Sequence, residues 1–326
     1  MPILMSEALD VRIRHRIYSE ILMALRDQLS RAANLNGAII PLLGPTRVGK
    51  SDLLLDLVDE DTGFAPRASA SLLRRQPIVL GAVPPKPNER ELYRAMLLAM
   101  GFDCGKKERT SIVRDRVIAA ISREGVAVLV LDECNHCVEP GANLSARSAA
   151  DHFKTIVDAT GITLVLAGLP NFQRIVDGNE QFRDRAMRSL IFEPYSWSLE
   201  RDREGFVAAM NGIFALLREA SVETDFADQD IARRLFAVCG GRVGLALRIL
   251  KAVGAGKPVS KLTMQEIAAA AAACCQDRHM VSAAFSSPPP GDDVLSRSYV
   301  NVMQEAGLSV LPNNVHEYAA VRGLRA

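Results

Sequence analysis

Gly44-Pro45-Thr46-Arg47-Val48-Gly49-Lys50-Ser51 fits the pattern G-x4-G-K-[ST] in full. It lies between an apolar run, AIIPLL, and a helix-like stretch, DLLLDLVDE. Glycines let the backbone curl so that successive N–H groups face phosphate oxygens, and the start of a helix adds partial positive charge. In such a loop Lys50 reaches the β- and γ-phosphates of a nucleotide, and the Ser51 hydroxyl ligates Mg²⁺.

A second acidic element completes that chemistry. Val126–Leu131 is apolar throughout and ends in Asp132-Glu133. A fully buried parallel strand has this composition, and its carboxyl end is where α/β proteins place ligands. Asp132 would hold the Mg²⁺ shell, and Glu133 would orient or deprotonate an attacking water. A glutamate beside the aspartate favours hydrolysis over nucleotide storage. Cys134 and Cys137, with His136 between them, invite a metal reading. Structural zinc needs four ligands, and no second C-x-x-C or H-x3-H pair stands nearby. His136 is expected to contact the acids or a neighbouring subunit instead.

These residues need a sheet to hold them. Strands are expected at AIIPLL, at PIVLGAV (77–83), at 126–131, at ITLVLAG and at LIFEP (190–194), alternating with helices. That alternation implies a parallel α/β sheet with right-handed crossovers. Ile13, Ile17, Ile21, Leu25 and Leu29 recur every four residues and predict an amphipathic helix over about 10–34. Beyond Tyr195–Trp197 only helices are expected, at 201–219, 228–239, 242–254 and 263–277. SSPPPGDD reads as a linker, followed by a helix ending at Gly307 and a weakly structured end. The expected organisation is an N-terminal helix (1–36), an α/β domain (37–196), a small all-helical lid (197–280), and a Pro-rich linker with a tail (281–326).

Composition agrees with an ordinary globular chain. The 326 residues are 48% hydrophobic and 24% charged, and 39 Lys+Arg against 38 Asp+Glu leave a net charge of +1. At about 150 residues per domain this is enough for two domains. Near-neutrality excludes a uniformly basic nucleic-acid coat but leaves room for a local basic stripe. No apolar run approaches the about 18 residues of a membrane span, and the start offers no signal-peptide cleavage site, so no membrane partner and a cytoplasmic location are expected. Six cysteines without a regular spacing read as reduced thiols.

The glycine loop, the D-E strand end and the helical lid together resemble the AAA+ ATPases. More narrowly, GPTRVGKS, VLVLDECNH, ITLVLAGLPN and EQFRDRAMRSLIFEPYSW resemble the TniB/TnsC-type transposition ATPases over about residues 10–275. The resemblance implies a P-loop core with a helical lid. It makes Asn171, after the fourth strand, the sensor of the γ-phosphate, although Gly168 stands where a polar side chain would be expected. It implies an arginine acting in trans on the next subunit's nucleotide, from among Arg183, Arg185 and Arg188, with Arg185 the first choice and Arg188 the second. It implies a second sensor in the lid, Arg242, with Arg248 a poorer alternative.

Lys106, Lys107, Arg109 and Thr110, between two helices, are expected to contact DNA phosphates, and Arg147 is a further candidate. Repeated around an oligomer, a few such contacts per subunit sum to salt-sensitive, sequence-independent binding. The cluster Arg12, Arg14, His15 and Arg16 suits either a subunit interface or DNA. The expectation is an ATP- and Mg²⁺-dependent regulator that oligomerises as a ring or filament on duplex DNA and recruits a transposase. The alternatives are an ATPase acting on a protein partner, such as a helicase loader or a secretion-associated ATPase, and a nucleotide-gated adaptor.

Overall fold

A computed structural model describes residues 2–59 and 78–323. It divides into two units, one of Glu20–Gly44 and Lys50–Phe192, the other of Met1–Ser19, Pro45–Gly49 and Glu193–Ala326. Helix α1 (Arg16–Ala32) crosses the division and begins later than the apolar spacing predicts. The reason is His15, whose ring Nδ1 accepts a hydrogen bond from the Tyr18 N–H at 3.4 Å and so occupies the capping position. Burial, with Arg16 beside it, pulls the His15 pKa down to about 3, which keeps that nitrogen an acceptor.

The first unit is an α/β sheet. β1 (Ala38–Leu43) is followed by α2 (Lys50–Asp59), β2 (Ile78–Ala82), α3 (Glu89–Ala99), α4 (Thr110–Glu124) and β3 (Val128–Asp132). Then come α5 (Ala146–Thr160), β4 (Thr163–Gly168), α6 (Gln173–Gly178) and β5 (Leu190–Ile191). The strand order is β2-β3-β4-β1-β5, and every pairing is parallel. β1 and β4 are buried at every position, as a sheet covered on both faces requires. The register sets Leu43 beside Gly168 and Ala82 beside Asp132, so the phosphate loop, the acid pair and the end of β4 leave the same edge. β2 spans less than the predicted 77–83, and Pro77 lies outside the described residues. The predicted strand 190–194 pairs only at Leu190–Ile191, although the Phe192 N–H still donates to the Leu43 carbonyl. Pro194 has no N–H to extend the ladder.

The second unit is helical. It holds α7 (Glu200–Glu219), α8 (Asp228–Cys239), α9 (Val243–Lys251), α10 (Met264–Cys274), α11 (Arg278–Ala284), α12 (Asp292–Glu305) and α13 (Val315–Val321). Its core joins Phe206, Phe214, Leu235, Phe236, Leu250 and Ile267. α9 stops short of the predicted 254 because Gly254 and Ala255 have positive φ. α10 starts where Thr263 and Glu266 form a reciprocal capping box.

The segment predicted to be linker and tail is packed into this same core. Leu295, Tyr299 and Met303 recur every four residues along α12 and are buried there. α13 is anchored by the fully buried Glu317, which accepts from the Ser196 hydroxyl at 2.9 Å and the Asn313 N–H at 2.7 Å. The helix expected after the proline run is present as α12, whereas α11 and α13 were not expected. Among the described residues no helix is long and apolar enough to cross a membrane.

Candidate functional site

At the carboxyl edge of the sheet the expected chemistry converges. The Ser51 hydroxyl, in the first turn of α2, donates to Asp132 Oδ2 at 2.6 Å, tying the loop after β1 to the end of β3. Lys50 Nζ donates to the Gly44 carbonyl at 2.7 Å, folding the lysine back over its own loop. Burial pulls the Lys50 pKa down to about 8, and the charges of Asp132 and Glu133 offset only part of that effect. A desolvated cation of this kind is set to gain from an arriving phosphate.

Glu133 is different in kind. Its backbone is left-handed, with φ 59° and ψ 30°, a conformation that costs a non-glycine residue on the order of 1 kcal/mol or more. The Asp132 carboxylate accepts its N–H at 2.8 Å, and its carbonyl accepts from the His136 N–H at 3.1 Å. The side chain is exposed and makes no hydrogen bond or ion pair among the described residues. One carboxylate is therefore engaged with Ser51, and its neighbour is left open to solvent.

The crown of the loop, Pro45–Gly49, belongs to the helical unit. Thr46 and Arg47 are exposed, whereas Pro45 and Val48 are buried. Arg47 and Gly49 both have positive φ, at 65° and 115°. A Cβ on Gly244, at the start of α9, would stand 2.5 Å from the Arg47 carbonyl, so only glycine admits this approach. Arg242 precedes α9 and donates through Nε to the Cys239 carbonyl at 2.8 Å. Arg248 is exposed on the same helix.

The donor set fits Mg²⁺. Ser51 Oγ and Asp132 Oδ2 are hard oxygen ligands within reach of one another. Mg²⁺ is usually held by one or two protein oxygens together with phosphate and water. Among the described residues no group of three or more His, Cys, Asp or Glu could hold a metal ion by itself. The C-x-x-C faces the core of the sheet unit. Cys134 and Cys137 are buried core residues, and burial pushes the Cys134 thiol well up and the Cys137 thiol up to about 12. His136 contacts Glu139 at 2.9 Å.

At the end of β4 the structure explains a glycine that the sequence left odd. A Cβ on Gly168 would lie 2.9 Å from the Asn135 N and 3.2 Å from Asn135 Oδ1. The space a side chain at position 168 would take is occupied by Asn135, which is only 2% exposed. Its Oδ1 accepts from the Leu169 N–H at 3.3 Å, and its Nδ2 donates to Glu139 at 2.9 Å. Sequence reading passed over Asn135, and the only signal was the strand-end glycine itself. Asn171 follows in the turn after β4, with its Oδ1 buried and lacking a hydrogen-bond partner among the described residues.

The arginines before β5 are used unequally. Arg185 is held by Asp158 at 2.9 Å and donates to the Asn36 carbonyl at 3.3 Å. Arg183 and Arg188 are exposed, and neither side chain is engaged among the described residues. In the N-terminal cluster His15 hydrogen-bonds the Tyr195 hydroxyl at 3.0 Å, and Arg16 pairs with Asp202.

The loop 103–109 is built from ion pairs. Arg94 binds Asp103 at 2.7 and 2.9 Å, and Arg116 binds both Glu108 oxygens at 2.8 Å. Arg116 also donates to the Asp103 carbonyl at 2.8 Å, and Arg90 donates to the Glu108 and Gly105 carbonyls. Hydrogen bonding from Arg94 and the Cys104 N–H holds the Asp103 carboxyl well below the usual range. Both acids of the loop are thereby neutralised. Lys106, Lys107 and Arg109 remain exposed and, among the described residues, unpaired, with Thr110 starting α4. Arg147, in the first turn of α5, is likewise exposed and unpaired among the described residues.

Comparison with known proteins adds two findings. The bacterial TniB protein family matches residues 4–193. Among solved structures the chain is similar to Cdc6p from Pyrobaculum aerophilum, at TM-score 0.58 and 13% identity, covering 98% of this chain and 88% of that one. It is similar to the Aeropyrum pernix ORC2 protein in ADPNP–ADP complexes, at TM-score 0.54 and 13% identity over 95% of this chain and 79% of that one. It is also similar to the Aeropyrum pernix ORC1 protein in complex with DNA, at TM-score 0.53 and 15% identity over 90% and 79%. At these identities the likeness establishes the fold, a P-loop AAA+ core followed by a helical region. No curated protein matches the chain.

Proposed function

The chain belongs to the bacterial TniB protein family, and on that premise we propose that it is an ATP-dependent regulator of transposition that assembles on duplex DNA. The observation that carries the ATPase reading is the convergence at one sheet edge of Lys50, the Ser51–Asp132 pair and an unengaged Glu133. Gly44–Ser51 and Asp132 bind ATP and Mg²⁺. With Mg²⁺ bound, the metal supplies charge neutralisation at the phosphates. Lys50 draws the β- and γ-phosphates in, and Glu133 orients the attacking water and receives its proton.

Asn171, in the turn after β4, senses the γ-phosphate through the N–H donors of its carboxamide. For the arginine acting on a neighbouring subunit, Arg188 takes precedence over Arg185, since Asp158 already neutralises Arg185. Arg242 remains the lid sensor. Lys106, Lys107, Arg109, Thr110 and Arg147 meet DNA phosphates without reading sequence. ATP favours assembly of further copies on DNA, the assembly recruits a transposase, and hydrolysis resets it. The protein then works in the cytoplasm, on the nucleoid when DNA-bound.

The test is binding to random duplex DNA, by gel shift, with ATP, with a non-hydrolysable analogue, with ADP and with no nucleotide. The expected outcome is binding at least about tenfold tighter with ATP or the analogue than with ADP, weakening steeply with salt. Nucleotide-independent or absent DNA binding overturns the transposition reading and leaves an ATPase that acts on a protein partner.

A further inference from the structure

The turn after Glu133 is fixed by contacts that nucleotide chemistry alone would not require. Residues Cys134–Cys137 form a 3-10 turn packed against β4 and against the turn Pro170–Phe172. Asn135 sits at the centre of that packing. Its carboxamide links Leu169, the first residue after β4, to Glu139, which also accepts from His136 Nδ1 at 2.9 Å. Burial alone would raise the Glu139 carboxyl. The hydrogen bonds from Asn135 and His136 outweigh it and hold the group below its usual value, so Glu139 stays an ionised acceptor. Gly168 leaves the space that lets Asn135 approach.

A left-handed glutamate persists only where its surroundings over-determine it. Glu133 is held on one side by Asp132 and on the other through the His136 N–H, which belongs to the turn that Asn135 fastens down. We propose that Asn135 is a positioning residue that fixes the Glu133 carboxylate by fastening the 134–137 turn to the end of β4. The same carboxamide makes the turn after Glu133 and the turn bearing Asn171 move as one piece. Asn135 is buried and committed to Leu169 and Glu139, so it acts through Glu133 and does not touch nucleotide.

This proposal rests on the ATPase reading for its kinetic arm and on geometry alone for its second arm. In the kinetic arm Asn135→Ala lowers kcat at least about tenfold while KM for ATP stays within about threefold, the signature of lost transition-state positioning. Placed on Glu133→Gln, it produces no further loss, because the residue it positions is already gone. Asn135→Asp, nearly isosteric but facing Glu139 with a second carboxylate, gives the same pattern and serves if the alanine variant does not fold. A kcat within about twofold of wild type, or an equal further loss on the Glu133→Gln background, overturns the proposal.

The second arm is amide hydrogen exchange. Asn135→Ala should expose the Leu169 amide together with those of His136 and Val138, while Glu133→Gln should leave all three protected. Unchanged protection in Asn135→Ala overturns the proposal. A wild-type chain that binds ATP without turning it over would contradict the ATPase reading, and exchange would then decide the role of Asn135 in holding the turn.

Discussion

Two acidic stretches of the sheet unit use their carboxylates in opposite ways. At the strand ends Asp132 is shared with Ser51, and the Glu133 side chain is left unengaged among the described residues. In the loop after α3 both Asp103 and Glu108 are held by arginines at 2.7 to 2.9 Å. One region keeps negative charge available. The other removes it, so that Lys106, Lys107 and Arg109 face solvent as uncompensated cations. Net charge describes neither region, and the +1 of the whole chain conceals both. What matters for function is which charges the fold leaves unpaired.

The largest effect should come from the strand-end region. Lys50→Met removes the cation that meets the phosphates, and ATP affinity measured by calorimetry should fall at least about a hundredfold. The same change removes a desolvated charge, so the nucleotide-free chain should melt higher at pH 7. Lys50 has a lowered folded pKa, and its destabilising contribution is present below about 8 and disappears as pH rises from there towards 10.5. A melting temperature lower than wild type would break this account of Lys50.

The loop should answer through salt. Replacing Lys106, Lys107 and Arg109 together by alanine should weaken duplex binding about ten- to a hundredfold. The slope of log affinity against log salt should decrease by about three, as followed by fluorescence anisotropy. ATP affinity should be unchanged, because the three side chains lie outside the strand-end region. A variant with an undiminished slope would remove the loop from the DNA surface and dissolve the contrast between the two regions.

A smaller effect follows from pH. In the proposed mechanism the protonated Lys50 binds phosphate, and its pKa in the nucleotide-free chain is about 8. Raising pH from 7 to 9 should weaken ATP binding by about tenfold, with proton uptake on binding visible as a buffer-dependent heat. Lys50→Arg, always charged, should flatten that dependence.

The strand–loop–helix around Lys50 and the apolar run into Asp132 were legible in the sequence because each is a local pattern. Glycine spacing, burial on both faces and the helix start all lie within a few residues. The contributions of Asn135, Arg185 and the last helices were not legible, since they depend on residues distant in the chain. Arg185 loses its availability to Asp158 across the fold, and Asn135 acquires its role from Leu169. The helix carrying Leu295, Tyr299 and Met303 was legible, but the proline run before it hid that this helix packs into the core. His15 shortened a helix by capping it, a use of a ring nitrogen that apolar spacing does not register.

The central claim is that the exposed carboxylate of Glu133 acts on water while the rest of the site binds nucleotide without it. Single-turnover ATP hydrolysis by Glu133→Gln, with ATP affinity and duplex binding measured on the same preparation, tests it most directly. The account predicts a rate at least about a hundredfold below wild type, with ATP affinity within about threefold and DNA binding in ATP retained or prolonged. A Glu133→Gln chain that hydrolyses ATP at the wild-type rate would contradict it.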